Sequence, residues 1–138
     1  MSTNEKGVGY SASIEVVVTD KMVRQFAEMS GDFNPIHLDD NYAATTRFGR
    51  RIAHGMILGA LISRALNETM GSGGIYLGQT LRFVNPVYID DKVTLTLTVT
   101  GLRKEKGFAT IETIGKNQSG DIVVKGDATI MMAEGVQK

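Results

Sequence analysis

The stretch His54-Gly-Met-Ile-Leu-Gly-Ala-Leu-Ile-Ser-Arg-Ala-Leu-Asn-Glu-Thr-Met70 decides the fold of this chain. Drawn as a helix, residues 56–70 carry apolar side chains on almost every side, and Ser63 is the only polar residue before Arg64. A helix that is apolar all round belongs in the interior of a protein. The stretch therefore predicts a long buried helix, around which the remainder of the chain packs.

One stripe of this helix contains small residues. Gly55 and Gly59 line up with Ile62 and Leu66, and Ser63 lies beside them. A glycine inside a helix costs about 1 kcal/mol relative to alanine, so its presence needs a reason. Either another backbone or a thin substrate arm approaches the helix along this stripe, or the stripe packs tightly against a sheet.

Residues on both sides of the long helix predict strands and shorter helices. Val93, Leu95, Leu97 and Val99 alternate with threonines, which is the pattern of a strand with one buried face. Similar patterns predict strands at 14–18, 75–83, 108–114 and 122–132, and helices at 21–29 and 40–45. This order predicts an α+β domain in which a curled antiparallel sheet wraps around the long central helix.

Length and composition limit the possible functions. The 138 residues suit a single domain, expected to span 1–138. Lys plus Arg and Asp plus Glu number 15 each, and a net charge of zero indicates no nucleic-acid or membrane partner. The absence of cysteine excludes thiol nucleophiles and zinc–thiolate sites, and it fits a reducing compartment. The polar residues 1–7 lack the apolar core of a signal peptide, so we expect a cytoplasmic protein.

The segment Gly31-Asp-Phe-Asn-Pro-Ile-His37 predicts the chemistry, because it contains an acid and a base five positions apart. Pro35 fixes its own backbone and restricts the residue before it, so residues 31–35 should form an irregular turn. Such a turn can aim Asp32 and His37 at one water, from which the pair can take a proton and return it. The alternative is that Asp32 caps a helix and His37 is a satisfied turn residue. No HExxH spacing is present, and no metal is predicted.

Three stretches of the chain resemble one protein family. Residues 26–43, F-A-E-M-S-G-D-F-N-P-I-H-L-D-D-N-Y-A, resemble the signature of MaoC-like, R-specific enoyl-CoA hydratases, the hydratase 2 family. I-A-H-G-M at 52–56 and I-Y-L-G-Q-T-L-R-F at 75–83 resemble the same family. The resemblance implies the hot-dog fold and a homodimer with active sites at its interface. It implies no metal and no tightly bound cofactor, since coenzyme A is the carrier of the substrate.

The resemblance also implies an activity, the reversible hydration of a trans-2-enoyl thioester to the (R)-3-hydroxyacyl thioester. Asp32 is then the base, His37 orients the water and shares the proton, and both additions occur on the same side. Gly55 begins the buried helix, where the N–H groups lack helical partners and face the positive end of the dipole. A thioester carbonyl held by that N–H would gain roughly 3–4 kcal/mol as its enolate forms.

Three further residues are predicted to contact the acyl substrate. Ser63 is expected to line the acyl pocket or to hydrogen-bond Asp32, unless the helix backbone satisfies its hydroxyl. Leu66 lies on the same stripe of the helix, and Asn34 lies inside the turn that contains the acid and the base. Both join Ser63 in the predicted substrate-binding set.

A basic cluster formed by Arg47, Arg50 and Arg51 precedes the buried helix. Arginine forks match phosphate, so the cluster is a candidate site for the phosphates of coenzyme A. The alternative is a solvated basic loop. His54 is expected to be structural and to position the turn at Gly55.

Other functions use the same sequence features. A dehydratase of acyl-carrier-protein substrates would use the same residues in the reverse direction. A hot-dog thioesterase would hydrolyse the thioester, but the intact D-x-N-P-x-H pattern favours a hydratase. A non-catalytic subunit that binds acyl thioesters is a different class, and the presence of both Asp32 and His37 argues against it.

Overall fold

The computed structural model describes residues 6–132, so the two ends of the predicted 1–138 domain and most of the polar start lie outside it. Its elements are β1 (Ser11–Val17), α1 (Asp20–Ser30), α2 (Pro35–Leu38), α3 (Asp40–Ala44), α4 (Gly55–Met70), β2 (Ile75–Gln79), β3 (Arg82–Phe83), β4 (Lys92–Arg103), β5 (Phe108–Lys116) and β6 (Ile122–Met131). This order confirms the predicted α+β class. Within the described range, no helix combines the length and apolar character that crossing a membrane requires.

The strands form one antiparallel sheet in the order β1-β4-β5-β6-β2, and β3 also pairs with β6. The long strand β4 pairs with β1 on one side and β5 on the other. The alternating side chains Val93, Leu95, Leu97 and Val99 on β4 are all buried, as the period of two predicts. Strands β1 and β2 are left at the two edges of the sheet.

Helix α4 packs one side against this sheet. Its buried residues recur at helical spacing and are Ile57, Leu58, Leu61, Ile62, Ala65, Leu66 and Met70. The prediction of burial on every side is wrong, because Met56, Ala60 and Ser63 on the other side are exposed. The sheet of one chain covers only one side of the helix, whatever the hydrophobicity of the other.

The glycines of α4 are explained by tight packing. A Cβ on Gly55 would lie 2.9 Å from the Phe83 ring, and one on Gly59 would lie 3.3 Å from Leu81 Cδ1. Distances near 3 Å are shorter than ordinary van der Waals contact, so the neighbouring side chains would have to move. The side chains of segment 81–83 therefore pack directly against the backbone of α4 at its two glycines.

The single strand predicted at 75–83 is divided into β2 and β3. Between them, the Thr80 N–H donates to the Asp127 carbonyl, and Thr80 Oγ1 accepts from the Asp127 N–H, both at 2.9 Å. A Cβ on Gly126 would lie only 1.8 Å from the Thr80 carbonyl oxygen, so this crossing requires glycine on β6. The alternating side chains of 75–83 contain no signal of this break.

The turn before His37 begins where α1 ends. Gly31 adopts the left-handed conformation with φ 81°, and its N–H donates to the Ala27 carbonyl, which closes the helix. Residues 31–34 are irregular, as predicted, but Pro35 starts the short helix α2 that was not predicted. Proline suits the first helical position, because its missing N–H would have no partner there.

Candidate active site

Residues 51 and 52, shortly before α4, hold the segment around His37 through three hydrogen bonds, two of them to His37 and one to Ile36. The Ile52 N–H donates to the Ile36 carbonyl at 3.3 Å, and Arg51 Nε donates to the His37 carbonyl at 2.8 Å. The His37 ring bonds through Nδ1 to the Ile52 carbonyl at 2.8 Å. Because a carbonyl can only accept, Nδ1 carries the proton of the neutral ring, and Nε2 keeps a lone pair.

His54 links the acid to the base. Its ring stacks on the His37 ring, with centroids 3.8 Å apart and planes inclined by 28°. Its Nε2 donates to the backbone carbonyl of Asp32 at 3.0 Å. The ring is buried, and Phe26 packs against it with centroids 4.8 Å apart. His54 therefore positions both Asp32 and His37, a wider role than the predicted support of the Gly55 turn.

The Asp32 carboxylate lies at the surface of this arrangement. One of its oxygens lies within 4.8 Å of a ring nitrogen of His37 and one of His54. Its Oδ1 accepts the Asn34 N–H at 3.3 Å, while Asn34 Oδ1 caps α2 by accepting the Ile36 N–H. Asn34 is thus the cap of α2, and the alternative assigned to Asp32 is not supported. An exposed carboxylate beside a buried imidazole can share one water with it.

The same three side chains have the residue types of a metal site, but the two rings are poorly oriented for one. A metal binds an imidazole nitrogen in the plane of the ring. Since the rings of His37 and His54 are stacked, a cation in the plane of one ring would lie outside the plane of the other. The absence of a metal from the reaction stays a prediction.

A cleft of about 300 Å³ joins His37 to the start of α4. Gly55 is the first residue of α4, so its N–H has no partner within the helix. The walls of the cleft are mainly apolar, and its lining residues include Phe48, Leu58, Phe83, Val84, Pro86 and Val87. The cleft therefore combines a buried imidazole, a backbone donor and an apolar surface.

The three predicted arginines have different environments. Arg47 lines the cleft, with its guanidinium 5.0 Å from the Phe48 ring centroid. Arg50 is exposed and lies 3.9 Å above the Tyr88 ring. Arg51 is buried at 7% exposure and is not accessible to a phosphate, in contrast to Arg47 and Arg50.

Ser63 and Leu66 line a second cleft, together with Met70, Tyr76 and Ile130. Ser63 lies eight residues after Gly55, or about 12 Å along the helix at 1.5 Å per residue. Among residues 6–132, no hydrogen bond joins Ser63 to Asp32, so the structure does not support that predicted contact within one chain. The contact of Ser63 and Leu66 with an acyl chain stays a prediction.

Sequence reasoning missed three contributions to the site: the Ile52 carbonyl, the Arg51 guanidinium and the Phe83 ring over Gly55. The stretches 52–56 and 75–83 indicated that these regions matter, but not which atoms do. Backbone acceptors have no signature in a sequence, and the link from residue 51 to residue 37 is made only in the folded chain.

The environment of His37 lowers its pKa below the ordinary value of 6.5. Burial of the ring is the largest cause, because it disfavours the charged form, and the neighbouring His54 acts in the same direction. The hydrogen bond to the Ile52 carbonyl and the negative charge of Asp32 oppose this shift. His37 is therefore neutral at pH 7, so its Nε2 lone pair can accept a hydrogen bond from a water and orient it.

The antiparallel sheet packed on one long helix, with an acid and an imidazole held beside the start of that helix, is the arrangement that the resemblance to hot-dog hydratases implies. A family model described as MaoC like domain matches residues 2–121. The chain belongs to this MaoC-like family.

Individual relatives agree with this assignment. An (R)-specific enoyl-CoA hydratase of Aeromonas caviae is 43% identical over 133 residues, which cover 96% of this chain and 99% of the relative. A protein of the same description from Rhodospirillum rubrum is 44% identical and covers 90% of this chain and 86% of its own. The unliganded structure of the R-hydratase PhaJ1 from Pseudomonas aeruginosa superimposes with a TM-score of 0.91 at 45% identity, over 96% of this chain and 86% of that one. These similarities confirm the predicted hot-dog fold and the predicted family.

The lowered pKa of His37 predicts a pH dependence of stability. Below about pH 6.5 an unfolded histidine takes up a proton that folded His37 resists, so the free energy of unfolding should fall on acidification. This loss of stability begins near the pKa of His37 in the unfolded chain and ends at its lower pKa in the folded protein. Urea unfolding at about pH 7.5 and pH 5.5 should show a smaller difference in His37→Asn than in the wild type. An equal difference in both proteins would contradict this prediction.

Proposed function

We propose that this protein is an (R)-specific enoyl-CoA hydratase, which adds water reversibly to trans-2-enoyl-CoA and forms (R)-3-hydroxyacyl-CoA. The observation that supports it most directly is that His37 and Gly55 line one cleft, while His54, the neighbour of Gly55, holds Asp32 close to the His37 ring. The reaction needs a group that activates water, a group that orients it and a donor for the thioester carbonyl. The site contains one of each.

In the proposed reaction, a water bound between Asp32 and His37 gives a proton to the Asp32 carboxylate as its oxygen bonds to C3. The electron pair of the C2–C3 double bond moves towards the thioester and becomes an enolate, whose oxygen accepts the Gly55 N–H. The enolate collapses as C2 takes that proton back from the Asp32 carboxyl on the same side, which regenerates the carboxylate. One water is consumed, and no other reactant is needed.

Coenzyme A is proposed as the carrier, and no further cofactor is invoked. Arg47 lines the cleft, Arg50 is exposed three residues further along the chain, and both are suited to phosphate. An acyl-carrier-protein dehydratase would use the same residues in reverse, and the two carriers are distinguished by comparing turnover on matched acyl chains. The cytoplasmic location stays a prediction.

Crotonyl-CoA tests this function directly. Loss of the conjugated enoyl absorbance should be accompanied by formation of (R)-3-hydroxybutyryl-CoA, measured by chiral chromatography. Asp32→Asn keeps the side-chain shape but removes the base, so turnover should fall by roughly 10²–10⁴-fold. His37→Gln should act likewise, and the double variant should cost far less than the product of the two, because both residues act on one water.

Asp121→Asn, the same change in an exposed turn, is the matched control and should leave turnover unchanged. Affinity for an unreactive acyl-CoA should be retained in Asp32→Asn, since the carboxylate contacts water and not the carrier. Release of free thiol without hydration would indicate a thioesterase. Binding without any turnover in the wild type would indicate a non-catalytic subunit, and a predominantly S product would contradict the proposal.

Gly55→Pro tests the backbone donor. His54 has φ −60° and ψ 134°, which is the conformation favoured before proline, and proline is tolerated at the first helical position. The variant should therefore fold without the N–H, and turnover should fall by roughly 10²–10³-fold. Gly55→Ala is the control, because it adds the Cβ that both variants place against Phe83 but keeps the N–H. Equal turnover in the two variants would remove this N–H from the mechanism.

A homodimer is proposed as the working unit. Strand β2 is an edge of the sheet, and its side chains Ile75, Tyr76 and Leu77 are exposed. An exposed apolar edge strand favours pairing with another chain. Sedimentation should therefore give twice the 14.9 kDa chain mass at micromolar concentration.

Leu77→Lys should shift the monomer–dimer equilibrium towards monomer, because it places a charge on β2, the edge strand proposed to pair with the second chain. Val17→Lys places the same charge on β1, the opposite edge, and should leave the dimer intact. A wild-type protein that sediments only as a monomer would contradict the proposal.

A further inference from the structure

Arg51 is a buried arginine whose three nitrogens have different partners. Its Nε donates to the His37 carbonyl at 2.8 Å, and its Nη2 donates to Asp20 at the start of α1. Its Nη1 lies 3.7 Å from the Asp40 carboxylate at the start of α3. One guanidinium therefore joins the first turns of two helices to the backbone of the residue that carries the imidazole.

The position of Arg51 in the chain strengthens this link. The next residue, Ile52, accepts the His37 ring proton with its carbonyl, so consecutive residues hold the backbone and the ring of His37. His54, two residues further on, holds Asp32. A shift of Arg51 would thus be transmitted to both members of the pair.

We propose that Arg51 is a positioning residue for the hydratase reaction, which fixes the His37 ring relative to Asp32 through the His37 carbonyl. This inference rests on the proposed function. Asp20 is the anchor, because its carboxylate holds the guanidinium plane in the orientation that aims Nε at the carbonyl. Arg51 does not touch substrate in this scheme.

The guanidinium shape makes arginine specifically suited to this role. Its donors are fixed in one plane and can serve a carboxylate and a carbonyl together, whereas the lysine ammonium is a single point on a flexible stem. Arg51→Lys keeps the positive charge beside Asp20 but cannot reproduce both bonds. The variant therefore separates charge from geometry.

The kinetic test compares Arg51→Lys with the wild type on crotonyl-CoA. A catalytic group displaced by about 1 Å can cost 10²-fold in rate, so we expect kcat to fall by roughly 10–100-fold. KM should stay within about threefold, since loss of geometry acts on the reacting atoms and not on the carrier. Arg24→Lys is the matched control, because Arg24 is the other partner of Asp20 at 3.0 Å but is exposed, and within residues 6–132 no hydrogen bond joins it to His37. It should retain wild-type kcat.

A spectroscopic test reads the His37 ring without substrate. The chain has two histidines, so ¹⁵N spectra of the rings are simple to assign. In the wild type, the His37 proton should reside on Nδ1, facing the Ile52 carbonyl. In Arg51→Lys the Nε2 tautomer should appear, which a loss of folding stability alone would not produce. Unchanged ring signals together with unchanged kcat in the folded variant would overturn the proposal.

Asp20→Asn provides a second route if Arg51→Lys does not fold. It removes the anchor charge from the half-exposed end of the pair and should produce the same tautomer change and a smaller fall in kcat. Wild-type values in Asp20→Asn would then overturn the proposal. If the wild type itself hydrates no enoyl-CoA, the proposed function fails, and the ring spectra alone decide whether Arg51 positions His37.

Discussion

The burial of one side of α4 against the sheet is the constraint on which the rest of the structure depends. It fixes the axis and the rotation of the helix, and therefore the place where residues 51–55 enter it. Asp32 and His37 are hydrogen-bonded to these residues, and in the described part of the chain no hydrogen bond joins the two. The relative position of Asp32 and His37 therefore follows from the packing of the helix, and a change in the hydrophobic core would also change the proposed site.

The same constraint leaves part of the chain uncovered. The sheet of a single chain packs on one side of α4, and apolar residues remain exposed on the other side of the helix and on β2. Met56 on the helix and Leu77 on β2 belong to this surface, and Phe83 on β3 is also exposed. A second copy of the chain is the proposed cover, which would also explain why α4 is more apolar than its burial in one chain requires.

Some residues of the candidate site could be predicted from the sequence, and the environments of others could not. Asp32, His37 and Gly55 stand in short local patterns, and the structure places them close together, although their roles stay predictions. The arginines at 47, 50 and 51 looked equivalent in the sequence, but only the last is buried. Burial of one charged residue among neighbours depends on which carboxylates reach it, and Asp20 is 31 positions away.

The sequence by itself determined the α+β order, the alternating face of β4, the family and the acid–base pair, because these depend on local periodicity and on short motifs. Tertiary structure alone decided the break at Thr80, the uncovered side of α4 and the separation of Ser63 from Asp32. It also decided the bonds that Arg51, Ile52 and His54 make to the turn. Each of these depends on the distance between segments far apart in the chain, and that distance is set only when the helix packs on the sheet.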